Sequence, residues 1–242
     1  MIEVQDIRVS FGPVSVLKGV SIALEEGQVV GLVGPSGSGK SVLLKVLGNV
    51  IQPDSGRIVS SAGERPTVGF LFQEGALFDS MSVIENVAFP LLTNDESEIS
   101  REECFNRAYE SLSRVGLKAA IHKHPGQLSG GMRRRVGIAR ALVAKPEVVL
   151  LDDPTGGLDP VAASVIIQLI LSLHKEYSPT VVLVSHDIRR LLPSVERVIA
   201  LFEGEIVSDT APGDLLELAP ERVVAFLRTR FDFESLPAEN GI

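Results

Sequence analysis

Eight consecutive residues, Gly34-Pro35-Ser36-Gly37-Ser38-Gly39-Lys40-Ser41, constrain this chain more than any other stretch and match GxxxxGK[ST] without a mismatch. The β-branched run Val29-Val30-Gly31-Leu32-Val33 precedes them and reads as a buried strand. Ser41 to Leu47 follows with a helical pattern bracketed by Gly48 and Pro53. Strand, glycine loop and helix in that order make a concavity where backbone N–H groups converge on phosphate oxygens, reinforced by the helix N-terminus. Lys40 would bring a point charge to the β- and γ-phosphates, and Ser41 a hydroxyl to Mg²⁺.

The remaining pattern extends this unit into an α/β fold. Residues 2–30 alternate as an antiparallel sheet does, with Ile2, Val4, Ile7, Val9, Val20, Ile22 and Leu24 apolar and Glu26-Gly27 as a turn. Val68 to Phe72, Val148 to Leu151, Val181 to Val184 and Val198 to Leu201 are further strands. Continuous β-branched runs between helices indicate a parallel sheet covered on both faces. Residues 76–140 interrupt it and read as helical, with Phe105, Ala108, Leu112 and Val115 on one stripe and the polar loop Thr93 to Ser100 before them. Past Pro212-Gly213 the chain predicts one helix, Asp214 to Arg230, and a polar tail ending Ala238-Glu239-Asn240-Gly241-Ile242. No internal repeat is present, so the chain carries one nucleotide-binding unit.

Bulk properties narrow the function. With 23 basic and 31 acidic residues the net charge is −8, which argues against a protein that grips nucleic acid. The run Arg133-Arg134-Arg135 reads as a solvated helix face. The single cysteine, Cys104, excludes an intrachain disulfide and reads as a small core residue. The start Met1-Ile2-Glu3-Val4-Gln5-Asp6 is too polar for a signal peptide, and no apolar run reaches the roughly 18–20 residues of a membrane span. The mean hydropathy of +0.25 fits a large core or burial against partners.

A second glycine-rich element, Gln127-Leu128-Ser129-Gly130-Gly131-Met132, lies upstream of the strand-like run Glu147 to Leu151, which ends in Asp152-Asp153. In this order the phosphate loop, this element and the paired aspartates resemble the ATP-binding subunit of an ABC transporter, over nearly the whole chain. The resemblance implies a P-loop NTPase (RecA-like) parallel-sheet core with an N-terminal antiparallel β subdomain and an inserted helical subdomain. The expected division is 1–75 and 141–212 for the core, 76–140 for the helical subdomain and 213–242 for a C-terminal helix and tail. It implies ATP and Mg²⁺ as ligands, with Gly34 to Ser41 on the phosphates. Asp152 would hold Mg²⁺ with Ser41 and Gln73, Asp153 would polarise the attacking water, and His186 would contact the γ-phosphate. Phe11 takes the place of the aromatic that stacks on adenine. Asp153 departs from the family, which has glutamate there, and the shorter acid would slow hydrolysis.

Ser129, Gly130 and Gly131 resemble the signature that caps ATP bound to an opposite subunit, which implies a head-to-tail dimer sandwiching two nucleotides. Gly157-Leu158-Asp159 resembles the loop linking the two sites, with Pro154-Thr155 shaping its turn. Phe78, Met81, Val83, Ile84 and Phe89 are apolar material for the groove that receives a permease. The strings Gly75-Ala76-Leu77-Phe78-Asp79-Ser80 and Ser82-Val83-Ile84-Glu85-Asn86-Val87-Ala88-Phe89-Pro90-Leu91 look like the Mla-type, Mce-associated phospholipid transport ATPases. That resemblance implies integral permease subunits, an Mce-domain lipid-binding protein, a small STAS-domain regulator in some systems, no nucleic acid, and a place on the cytoplasmic face of the inner membrane. Phe226, Leu227, Phe231 and Phe233 are candidates for a contact with the partner ATPase. The rival within transporters is an ATPase for amino acids, metals or drugs. A soluble ABC ATPase of repair or translation lacks support, since tandem cassettes and zinc cysteines are absent from the sequence. A P-loop kinase would lack the signature element.

Overall fold

The alternation of residues 2–24 becomes two long antiparallel strands, and each buried β-branched run becomes a parallel one. The computed structural model describes residues 1–61, 63–73, 75–94 and 99–231. Phe233, the tail after it and part of the Thr93 to Ser100 segment lie outside these residues. In chain order the elements are β1 (Ile2–Phe11), β2 (Val14–Leu24), β3 (Val29–Val33), α1 (Lys40–Leu47), β4 (Ser55–Ser60), β5 (Val68–Leu71), α2 (Val83–Leu92), α3 (Arg101–Arg114) and α4 (Gly130–Leu142). They continue with β6 (Val148–Asp152), α5 (Pro160–Tyr177), β7 (Thr180–Val184), α6 (Ile188–Leu191), β8 (Arg197–Phe202), β9 (Glu205–Thr210), α7 (Leu215–Leu218) and α8 (Glu221–Arg228). The chain packs as two units, one of residues 1–66 and 180–242, the other of residues 67–179.

In the first unit β1 pairs antiparallel with β2 and β4, setting Val4 opposite both Ile22 and Ile58. Ile2, Val4, Ile7 and Val9 point inward and are all buried. A second sheet has β3 parallel to β7 on one side and to β8 on the other, with β9 antiparallel on β8. Every residue of β3 and β7 is buried, the condition for a strand covered on both faces.

The second unit holds β5 and β6 as a parallel pair together with α2, α3, α4 and α5. The N-terminus of α2 is a capping box: Glu85 N–H donates to Ser82 Oγ at 3.5 Å and Ser82 N–H to Glu85 Oε2 at 2.8 Å. The fully buried Asn86 organises the segment before it. Its amide donates to the carbonyls of Phe78 at 3.0 Å, Met81 at 3.1 Å and Ser82 at 3.0 Å, and its carbonyl accepts from Phe78 N–H at 2.8 Å. The C-terminal half of α4 lies directly on β5, where a Cβ on Gly69 would fall 1.9 Å from the Ala141 carbonyl oxygen.

Several expectations change. The stripe of α3 runs through Cys104, Ala108, Leu112 and Val115, all buried, while Phe105 is half-buried under the Arg101 guanidinium. A 3.6-residue period aligns Cys104 rather than Phe105 with Ala108 and Leu112. The predicted helix Asp214 to Arg230 is broken at Pro220, which lacks an N–H donor, into a 3₁₀ turn, α7 and α8. Leu227 and Phe231 are buried within their own unit, and Phe226 packs edge-on against Phe202 at 5.6 Å. Leu227 and Phe231 therefore serve the core and are not exposed for a partner. Strands β4 and β9 go beyond those that the apolar runs predict.

Because the Ala141 oxygen belongs to a helix backbone, it cannot swing aside for a larger residue at position 69. Gly69→Ala is expected to lower stability by about 3 kcal/mol, at the upper end for overpacking, read as a lower urea midpoint at unchanged slope.

Candidate functional site

The phosphate loop and His186 leave neighbouring strands at the same level. Leu32 of β3 lies opposite Val184 of β7, and Gly34 and His186 each stand two residues farther on. Carboxyl ends of parallel strands are where α/β sheets bind ligands. Gly34 has no room for a side chain, since a Cβ there would sit 2.0 Å from the Leu201 carbonyl oxygen. Gly39 begins α1 at φ 104° with no side-chain cap. Lys40, 7% exposed, bends over the loop and donates to the carbonyls of Gly34 at 2.9 Å and Pro35 at 2.8 Å. The turn between β8 and β9 braces the loop through Gly204 N–H, which donates to the Ser38 carbonyl at 3.2 Å.

These residues fit a polyphosphate. The Ser38 hydroxyl is buried and has no hydrogen-bond partner among the described residues, a costly state that an acceptor oxygen relieves. A Cβ on Gly37 would meet nothing within 4 Å, so the loop stays open on that side. Phe11 ends β1 at 52% exposure, which removes core packing as its role and leaves a face for stacking. His186 is exposed between β7 and α6, and the neighbouring Asp187 caps α6 by accepting from Arg190 N–H at 3.4 Å.

The second unit repeats the arrangement. Leu71 of β5 lies opposite Leu151 of β6. Gln73 and Asp153 each follow two residues later, with Asp152 between Leu151 and Asp153. Asp152 and Asp153 are 6% and 8% exposed, and Asp153 takes a left-handed φ of 48°. Gln73 is exposed in a turn closed by Gly75 N–H donating to the Phe72 carbonyl at 2.9 Å. The hydroxyl of Ser41 in the first unit, and the Gln73 amide and Asp152 carboxylate in the second, are each oxygen donors of the kind Mg²⁺ takes alongside substrate phosphates and water. Among the described residues there is no group of three or more His, Cys, Asp or Glu able to hold a metal alone.

Ser129 caps α4, accepting from Met132 N–H at 3.3 Å. Ser129 and Gly130 are exposed, and a Cβ on Gly131 would meet nothing within 4 Å. The arginines that follow do not form a solvated face. Arg133 donates to the Leu128 carbonyl at 2.8 Å, Arg134 to that of Gly156 at 3.1 Å and Arg135 to that of Val115 at 3.4 Å. Asp159 caps α5 through Val161 N–H at 2.9 Å and Ala162 N–H at 3.0 Å.

The family model described as "ABC transporter" matches residues 17–156, more than half of the chain. The chain belongs to the ABC transporter family. It has the fold of an ABC ATPase and hydrolyses ATP. It is 38% identical to the protein TRIGALACTOSYLDIACYLGLYCEROL 3, chloroplastic, of Arabidopsis thaliana, over 86% of this chain and 67% of that one. It is also 38% identical to a phosphonates import ATP-binding protein of Wolinella succinogenes, over 84% of this chain and 80% of the relative. A solved ATP-binding cassette, dimeric in a post-hydrolysis state bound to ADP and Pi, superposes with a TM-score of 0.78 at 33% identity, covering 88% of this chain and 99% of its own.

This ABC ATPase also carries an apolar groove of 390 Å³ in the second unit, lined among others by Phe70, Phe72, Phe78, Phe89, Pro90 and Arg140. Of the candidate groove residues, Phe78 and Phe89 line it with ring centroids 4.7 Å apart, whereas Val83 is fully buried core. Met81 and Ile84 are half-buried and do not line it.

Arg140 is a residue that motifs alone do not reveal. It is 8% exposed and donates to the carbonyls of Gly75 at 2.7 Å and Ala76 at 3.0 Å, and burial lowers its guanidinium pKa below the ordinary range. Its signal in the sequence is its place as a lone cation in the apolar run Val136 to Val143. Arg140→Met removes both donors and leaves the buried Gly75 carbonyl unsatisfied. Loss of about 2–3 kcal/mol is expected, checked by chemical denaturation, with Arg140→Lys recovering part of it.

Proposed function

We propose that this ATPase drives a membrane lipid transporter and acts on MgATP through the residues just described. Lys40 neutralises the β- and γ-phosphates inside a loop of backbone donors, and Ser38 adds a hydroxyl. Ser41 and Asp152 would hold Mg²⁺, which would supply charge neutralisation at the phosphates. Asp153 accepts the proton of the attacking water. Gln73 contacts the metal, His186 the γ-phosphate, and Phe11 stacks on adenine. The observation that carries this reading is the paired register, which brings Gly34 and His186 to one strand-end level and Gln73 and Asp153 to another. The ABC ATPase relative bound to ADP and Pi supports it.

A second copy of the chain completes the site in this reading, its Ser129, Gly130 and Gly131 capping the γ-phosphate head to tail. The exposed start of α4 and the dimeric solved relative favour that assembly. The groove at Phe78 and Phe89 receives a permease subunit, placing the protein on the cytoplasmic face of the inner membrane. Among the described residues no helix is long and apolar enough to cross a membrane. Residues 1–75 and 141–212 then form the nucleotide core, 76–140 the lobe facing the permease and 213–242 a C-terminal extension. A phospholipid or related lipid as cargo draws on the Mla-like strings around the groove and on a relative whose name carries a galactolipid. An Mce-domain lipid carrier and a STAS-domain regulator follow from the same likeness. The phosphonates import relative favours a different cargo as the second reading.

Two measurements separate these parts. Asp153→Asn should abolish steady-state ATPase and Asp153→Glu should raise it; full turnover by the Asn variant would falsify the base assignment. Isolation from native membranes in mild detergent should recover a permease, an Mce-domain protein and phospholipid. A different permease would keep the motor and discard the lipid.

A further inference from the structure

Asp153 and Gly156 share one tight turn after β6. The Asp153 carboxylate lies over the Cα of Gly156, so that a Cβ at position 156 would fall 2.3 Å from Oδ2 and 2.9 Å from Cγ. Both distances are far inside the contact range of about 3.5–4.0 Å between carbon atoms. The backbone does not demand glycine here, because Gly156 is not among the residues with left-handed φ. Only the carboxylate excludes a side chain.

The turn has little freedom to give way. Gly156 N–H donates to the Asp153 carbonyl at 3.2 Å, and Leu158 N–H to the Thr155 carbonyl at 3.2 Å. The Gly156 carbonyl accepts from Arg134 at 3.1 Å, and that arginine is 5% exposed on α4. A methyl group at position 156 would therefore displace the short Asp153 side chain, which turns about its Cα–Cβ and Cβ–Cγ bonds, and not the backbone. The overlap reaches Cγ as well as Oδ2, so turning the carboxyl plane does not relieve it, and Cγ itself moves only with χ1.

We propose that Gly156 is a positioning residue for hydrolysis: by lacking a side chain it sets where the Asp153 carboxylate stands. The proposal rests on Asp153 being the general base. A base works only within about 2.6–3.2 Å of its proton source, and aspartate has no extra methylene with which to recover a lost position. A glutamate at 153 would carry its carboxylate past Gly156 and depend on it less.

The test is steady-state ATPase of the full chain as wild type, Gly156→Ala, Asp153→Glu and the double variant, with thermal melts of each. Gly156→Ala should lower kcat about tenfold or more, since a general base contributes roughly 10²–10⁴-fold. KM should stay within about twofold, because ground-state binding is untouched, and melting should not change. In the Asp153→Glu background the same alanine should cost nothing further. An equal loss in both backgrounds, or an undiminished or raised kcat in Gly156→Ala, overturns the proposal. If Asp153→Asn also kept full turnover, the base assignment would fail and this proposal with it. An inactive Asn variant beside an undiminished Gly156→Ala would remove the positioning role alone.

Discussion

The register of two parallel strand pairs is the constraint on which the rest of this molecule depends. In β3, β6 and β7 every residue is buried, and the one charged residue among them, Asp152, stands at the last position of β6. Polar chemistry can begin only where the strand stops. A one-residue slip would turn each side chain to the opposite face, and apolar cover on both faces leaves no slack for that. Leu32 opposite Val184 and Leu71 opposite Leu151 are thus more than packing details. They bring the phosphate loop level with His186, and Gln73 level with Asp153.

Those strands are legible in the sequence because their physics is local. Each is an apolar run of four or five residues, closed by a polar or glycine-rich break, and the sequence carries that pattern openly. The helix caps at Ser82, Ser129 and Asp159 follow the same short-range logic. Strands β4 and β9 are illegible for the complementary reason. Ser55–Ser60 and Glu205–Thr210 have few apolar residues, and their order comes from pairing with neighbours, β1 and β8, that supply the apolar pattern they lack.

The candidate site divides along the same line. Residues at fixed offsets within a motif, such as Lys40, Ser41 or Asp152, can be named from the order of amino acids alone. Residues whose role arises from packing cannot. Nothing near Gly156 announces that a carboxylate three residues back occupies the volume of its missing side chain. The arginine run misleads for a related reason. Charge alone suggests solvent, but a guanidinium on a long apolar stem can reach backbone carbonyls while its helix stays buried.

That reach explains how α4 organises its unit. Arg133, Arg134, Arg135 and Arg140 each donate to a carbonyl where regular structure has ended, at Leu128, Gly156, Val115 and the Gly75-Ala76 pair. Arginine suits this work because its planar fork offers several donors in fixed directions, and Arg140 uses two of them at once. Arg134 and Arg140 are separated by about 9 Å along the helix axis at the usual rise per residue. One of them ties the turn that holds Asp153, and the other ties the turn that holds Gln73. A single stiff helix, beginning at the exposed Ser129, therefore sets the frame for both turns. A shift of its N-terminus along the axis would carry Arg134 and Arg140 with it, and each would pull on a carbonyl in the turn of a residue proposed to face the nucleotide.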